Sequence, residues 1–363
     1  VSKLPFSLGL HSICFIKKEL HQTYSSPEKN IRMKHGRPSL PFIAAVIFFT
    51  SCNGGGGFFS ASGTTNEVLV LMDDTAWEST PGKALFHVLN SNAKALPQPE
   101  PNFRILHIVP ENFTGTFKMA RNIIIPEISN IYSYPKLTAD IDKYAVGQVI
   151  MNIHAPDTAS FVKFVSENEE SIVGYFVTKE LERNGRWLKN EIKSPLSRAQ
   201  QVFGIHIHVP KGLSNVTEHE NFYWATNNAG RSRQDIVIYQ FPYTTETVFD
   251  KDSLIAIRNE VLGKYIKGSF DSQMVTATRS YPPDYRRIEV DGIFRAELRG
   301  LWEMTADMMG GPFVMQALVN ENTGMVVVVE TYVYAPEGTK RNLMRNLEAT
   351  FYTINIPKEE EKS

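Results

Sequence analysis

The chain has 363 residues, with 38 Lys and Arg against 39 Asp and Glu, and a formal net charge of −1. That balance argues against a surface built for nucleic acid or for polybasic attraction to a membrane. An apolar content of 42% is that of a folded globular protein, and two cysteines are too few for a disulfide framework.

In chain order, the first informative stretch is Met33 to Cys52, MKHGRPSLPFIAAVIFFTSC. Lys34 and Arg37 give a short basic region, Leu40 to Phe49 an apolar one, and Phe49-Thr50-Ser51-Cys52 resembles a lipobox. The apolar run is too short to span a bilayer and has the length of a cleaved signal segment. The resemblance to bacterial lipoprotein signals implies cleavage before Cys52, with diacylglycerol on its sulfur and a palmitate-type acyl chain on its amine. At about 0.8 kcal/mol per buried methylene, two or more chains anchor stably. On this reading Met33 is the initiator, residues 1–32 are not expressed, and 33–51 are removed. The remaining 312 residues hold one cysteine, which carries lipid, so neither a disulfide nor a thiol nucleophile is expected. Seven Lys/Arg and two Asp/Glu precede Cys52, which leaves 31 basic against 37 acidic residues, a net charge of −6.

Residues 52–66 are expected to form a flexible tether, because Asn53 to Gly63, NGGGGFFSASG, loses too much backbone entropy on folding. Lipoproteins of the Bacteroidetes type that reach the cell surface usually carry acidic residues just after the cysteine. Asn53 and glycines stand there instead, so the expected location is the outer membrane, facing the periplasm.

The globular body is expected over 67–356, with a charged tail at 357–363. Glu67 to Met72 reads as its first strand. Phe103 to Pro110 and Phe203 to Pro210 match at Phe, Ile, Val and Pro, and each reads as a strand ended by proline. Strands are expected next at Asn122 to Ile128 and Phe222 to Thr226, then at Gln148 to Pro156 and Gln234 to Pro242. The latter two lead into helices, one from near Asp157 with Phe161, Val162, Phe164 and Val165, one from near Asp252 with Leu254, Ile257, Val261 and Tyr265. A third unit pairs Pro312 to Val319 with Met325 to Tyr334 across the turn Asn320 to Gly324. Its helix, about Lys340 to Tyr352, carries the stripe Leu343, Leu347 and Phe351. Repeated strand-strand-strand-helix units predict an α+β body, mostly antiparallel sheet with helices on one face.

The segments Leu96 to Pro101 (LPQPEP), Arg121 to Ile125, Tyr239 to Tyr243, Gly300 to Glu303, Met309 to Phe313 and Tyr334 to Arg341 (YAPEGTKR) together resemble uncharacterised Bacteroidetes lipoproteins grouped as a domain of unknown function. The resemblance covers most of the chain after Cys52. It implies an envelope location and carries over no catalytic residue.

Signatures for acyl transfer, phosphate binding and zinc hydrolysis are missing from the sequence, and no cofactor is expected. His206 and His208, two apart on an expected strand with His219 downstream, are the metal candidates, but Leu106 and Ile108 hold the equivalent positions of the first copy, so that face also reads as core. Asp73-Asp74 reads as a strand end and helix N-cap, or as an acid/base pair. Trp302, Met308, Met309, Gly310, Gly311 and Pro312 belong to the most distinctive loop. It suits either a binding surface or a packed turn, the latter with Trp302 buried and Gly310 or Gly311 at positive φ. Thr75, Thr158 and Ser253 each follow an Asp in triplets resembling O-glycosylation acceptors of exported Bacteroidetes proteins, though Asp before Ser or Thr is also ordinary capping. Two functions fit: a non-enzymatic lipoprotein binding an envelope protein or glycan, or a hydrolase acting on an envelope polymer through carboxylates. Replacing Cys52 by Ala should leave the protein unlipidated and release it from membranes. Mass spectrometry of the native N-terminus checks this, and recovery of residues 1–32 would contradict it.

Overall fold

Near-continuous aliphatic runs in the N-terminal half build a five-stranded sheet, in the computed structural model, which describes residues 59–357. The signal segment, Cys52, the tether through residue 58 and the tail beyond 357 lie outside the described residues. The strands are β1 (Glu67–Leu71), β2 (Arg104–Ile108), β3 (Asn122–Ile128), β4 (Lys136–Ile141) and β5 (Val149–Ala155), in the order β2-β1-β3-β5-β4. β1 runs parallel to β2 and β3, β3 runs parallel to β5, and only β4 is antiparallel. Runs such as Val68 to Leu71 and Val149 to Met151 suit this, because parallel strands are buried on both faces. One face packs Val68, Val70, Ile124 and Met151 against α1 (Asp74–Glu78), α2 (Thr80–Leu89), α3 (Thr158–Glu167) and α4 (Glu169–Glu191). The start of α3 is set by Asp157, whose carboxylate accepts the Ser160 N–H at 2.8 Å. The opposite face, with Leu69, Ile123 and Ile150, is covered by loop residues including Phe113, Ala120 and Tyr144.

The C-terminal half forms a curled antiparallel half-barrel of eight strands. These are β6 (Asn215–His219), β7 (Phe222–Thr226), β8 (Arg233–Pro242), β9 (Met274–Thr276), β10 (Asp284–Val290), β11 (Ile293–Met304), β12 (Gly310–Asn320) and β13 (Met325–Tyr334). The order is β10-β11-β12-β13-β8-β7-β6, with β9 beside β11. Asp291 and Gly292, both at positive φ, make the two-residue β10–β11 hairpin that such a turn requires. Along β13 the valines alternate. Val327 and Val329 face α5 (Ser197–Phe203) and α7 (Arg341–Glu348), whereas Val326 and Val328 face α6 (Lys251–Tyr265).

The α+β class is as expected, but the arrangement differs from the sequence reading in three ways. The strands divide into two sheets, one of them mostly parallel. Helices cover both faces of the antiparallel sheet rather than one. The repeat has no structural counterpart. Phe103 to Pro110 yields β2, whereas in Phe203 to Pro210 the helix α5 ends at Gly204, at φ 62°, and the rest makes a single bridge to Asn355. Gln148 to Pro156 becomes β5 in the parallel sheet, while Gln234 to Pro242 becomes antiparallel β8. Alternating β-branched residues favour an extended backbone without choosing its partner, so similar local patterns entered different sheets.

The two sheets meet along a polar seam. The Glu100 carboxylate accepts the N–H groups of Lys340 at 2.6 Å and Arg341 at 3.0 Å, capping α7 from outside its own segment. Arg345, from the next turn, donates to Asn66 Oδ1, Asn102 O and Asn102 Oδ1 at 2.6 to 2.8 Å. Burial pushes its pKa down to about 10, against the pull of Glu348. Beside the seam, α4 places Ile172 and Phe176 in the first sheet's core and lays Gly185 against the 3₁₀ turn Ala349–Thr353. A Cβ on Gly185 would stand 2.9 Å from Tyr352 Cβ and 3.1 Å from Ala349 O, so only glycine permits this approach. The end of the expected tether is seated as well: Ser60 bridges to Val146 and Ser62 to Ala120. Leu347 of α7 is fully buried against the antiparallel sheet. Leu347→Ala should cost about 2–5 kcal/mol, read as a lowered thermal midpoint, and an unchanged melt would contradict the docking of this helix.

Candidate functional site

The loop singled out in the sequence is mostly interior. Trp302 on β11 is 2% exposed; its indole N–H donates to Val333 O at 3.3 Å, and its ring meets Tyr332 edge-on. Neither Gly310 nor Gly311 has a positive φ, which corrects the expected turn: both lie in β12, opposite Glu303 and Trp302. Gly311 serves close approach instead, since a Cβ there would stand 2.1 Å from Val333 O and 3.2 Å from Trp302 Nε1. Pro312 is buried, Met309 half-buried, and Met308 fully exposed at the loop tip.

The other candidates are dispersed. His206 and His208 lie on an extended segment rather than a sheet strand; the His206 N–H donates to Asn355 O, and His208 Nδ1 donates to Ile192 O at 2.6 Å. His219 sits on β6, stacked on Tyr265. Among the described residues there is no group of three or more His, Cys, Asp or Glu that could hold a metal. Asp73 occupies the N-cap of α1 without a side-chain cap bond, and Asp74 Oδ1 lies 3.9 Å from His107 Nδ1. Thr75 and Thr158 are exposed and Ser253 half-buried, each in the first turn of a helix. Asp157 caps α3, while the position before α6 is held by Asp250, not Asp252.

A groove of about 1070 Å³ lies along the seam, between the second half of α4, the loop from Ile141 to Val149, and Lys211, Gln234 and Asn346 of the C-terminal half. Lys179, Arg183, Arg186, Trp187 and Asn190 recur at three- and four-residue spacing, which puts them on one stripe of α4. The Trp187 side of this stripe is open, the residue being 63% exposed. The helix is tied to the loop by Arg183, whose Nε donates to Gly147 O at 2.6 Å. Gly147, at φ 81°, in turn donates its N–H to the Asp142 carboxylate. Under the stripe, buried Glu180 accepts from Asn122 Nδ2 at 2.7 Å and Arg121 Nη2 at 2.9 Å, with Arg183 Nη1 also 2.7 Å away. Burial lowers the pKa of Arg183; Glu180 opposes that, and the nearby charges of Arg121 and Arg186 add to it.

Three buried carboxylates elsewhere are held by guanidinium groups. Glu330 takes a two-point bond from Arg258, Glu348 one from Arg299, and Asp235 is bonded by Arg233. Within the groove, Glu182 binds Lys179 and Glu191 binds Lys211, both at 2.7 to 2.8 Å.

Sequence reasoning missed α4 and its tryptophan. The helix buries Glu180 and Gly185 beside Ile172, Phe176, Leu181 and Leu188, so its interior face shows a broken apolar stripe. The legible signal was Arg183-Asn-Gly-Arg-Trp187, a cationic and aromatic cluster within one turn and a quarter.

Comparison with known families divides the chain inside this same helix. Residues 61–189 match the model of a domain of unknown function, DUF8532, and residues 180–353 match that of another, DUF4837. The groove is lined by residues from both matched ranges, which overlap within α4. A crystal structure from Bacteroides thetaiotaomicron VPI-5482 is similar at 15% identity, over 44% of this chain and 47% of that one, with a TM-score of 0.20. The chain therefore spans about half the length of that protein. No curated protein matches the chain. Gly311→Ala, in the range that matches DUF4837, should destabilise by about 1–3 kcal/mol through overpacking against Val333. A thermal melt checks this, and an unchanged midpoint would contradict the close approach.

Proposed function

We propose that this is a lipid-anchored envelope protein that binds an extended glycan, without chemistry, in the groove beside Trp187. The observation that carries the reading is the indole itself: 63% exposed, on a long packed helix, and flanked by side chains with free hydrogen-bonding capacity. An indole face offers apolar contact to the C–H face of a sugar ring, while amide, ammonium and guanidinium groups bond its hydroxyls. Because Glu182 and Glu191 are each neutralised by a lysine at contact distance, the carboxylates here serve recognition better than proton transfer. Anchoring through Cys52, at the periplasmic face of the outer membrane, fits the signal-like order of Met33 to Cys52 and a glycine-rich segment without acidic residues after it.

Trp187→Ala should lower affinity for the oligosaccharides retained by the wild-type protein on a glycan array by about tenfold or more, as expected when an aromatic anchor is lost. The melting temperature should be unchanged, because the ring is mostly in water. Retained binding in this variant, or loss caused instead by Met308→Ser, would move the site away from the groove.

A further inference from the structure

We infer that the groove selects an anionic glycan, one bearing carboxylate or sulfate groups, through the arginine cluster Arg121, Arg183 and Arg186; this rests on the groove being the glycan site. The charges do not balance there. Three guanidinium groups line the groove, and the one carboxylate bonded to them is Glu180, shared by Arg121 and Arg183. The other acids are already engaged, Glu182 with Lys179, Glu191 with Lys211, and Asp142 with the Gly147 N–H. With Lys179 and Lys211 counted beside the three arginines, five cations face Asp142, Glu180, Glu182 and Glu191, and a local excess of about one positive charge remains, in a chain whose overall charge is −1.

Two details give the excess a direction. Arg121 Nε is buried with no hydrogen-bond partner, so a donor remains unused beside the cavity. Arg186 is exposed, lines the groove, and has no carboxylate partner among the described residues. It is also the residue next to Trp187. A sugar ring resting on the indole would place an acidic substituent within reach of a guanidinium, whose planar donors match carboxylate and sulfate oxygens in pairs. Bracing α4 against the sheet accounts for Arg121, Glu180 and Arg183, whose bonds are internal, but not for Arg186, which braces nothing.

The test is native affinity electrophoresis of the full chain in detergent, through gels containing matched polymers. Polygalacturonate is compared with galactan, and dextran sulfate with dextran. The acidic member of at least one pair should retard the protein about tenfold more strongly than its neutral counterpart, and added salt should weaken it. The two pairs distinguish carboxylate from sulfate. Arg186→Gln should remove most of the difference without changing the melt, and Arg186→Lys should restore part of it. Equal retardation by neutral and acidic polymers, lost in Trp187→Ala, would overturn the anion preference and leave the groove standing. Failure of all four polymers to retard the protein would overturn the anion preference too, and the glycan-array measurement then decides the groove separately. Acidic retardation unaffected by Arg186→Gln would place the anion contact elsewhere and overturn the inference.

Discussion

The guanidinium of Arg345 is the bond on which the rest of this structure depends. It leaves the last helix, crosses the seam between the two sheets, and finds three oxygens on Asn66 and Asn102. A buried cation without such acceptors would be far too unfavourable to keep, so these residues must meet in one geometry. Once they do, Glu100 stands over the first N–H groups of α7, Arg341 reaches the Pro101 carbonyl, and Lys340 Nζ reaches Gln98. Apolar burial stabilises each sheet separately. The register between them is set by hydrogen bonds, which are directional where hydrophobic contact is not.

The groove is a consequence of that register. With α7 and its 3₁₀ extension fixed, α4 can lie across the junction only because Gly185 presents no side chain to Tyr352 and Ala349. The last turns of the helix carry Trp187 and Arg186 to the surface, in a groove they share with the Ile141 to Val149 loop. Glycine in a helix interior costs about 1 kcal/mol relative to alanine, so the close contact has a function in the assembly that offsets it. The guanidinium cluster has a similar double character. Arg121 and Arg183 hold the helix down through Glu180 and also line the groove.

The elements that sequence patterns conveyed well were those set by local chemistry. Asp157 stops the backbone before α3, Asn320 to Gly324 turns β12 into β13, and Leu347 with Phe351 marks the buried stripe of the last helix. Partner choice was not legible, because the valine and isoleucine runs of β5 and β8 look alike although one lies between two different kinds of neighbour and the other in a wholly antiparallel sheet. The Gly310-Gly311 pair looked like a turn, yet its smallness serves a strand crossing close to Trp302. Two segments quoted only for their family resemblance, LPQPEP and YAPEGTKR, turn out to touch each other through Glu100 and Lys340. Their separation of some 240 residues hides this from any local window. The site was hidden for the same reason: α4 buries polar groups that find partners only in distant segments.

The most direct measurement of the central claim, that recognition happens at the seam groove and not at the Trp302 loop, is ¹⁹F NMR of protein labelled with 5-fluorotryptophan. Four tryptophans give four resonances, and a Trp187→Phe sample assigns the relevant one. Titration with a glycan that the protein retains should shift the Trp187 signal and leave that of buried Trp302 in place. A shift confined to Trp302, or saturable binding that moves no tryptophan at all, would contradict the account.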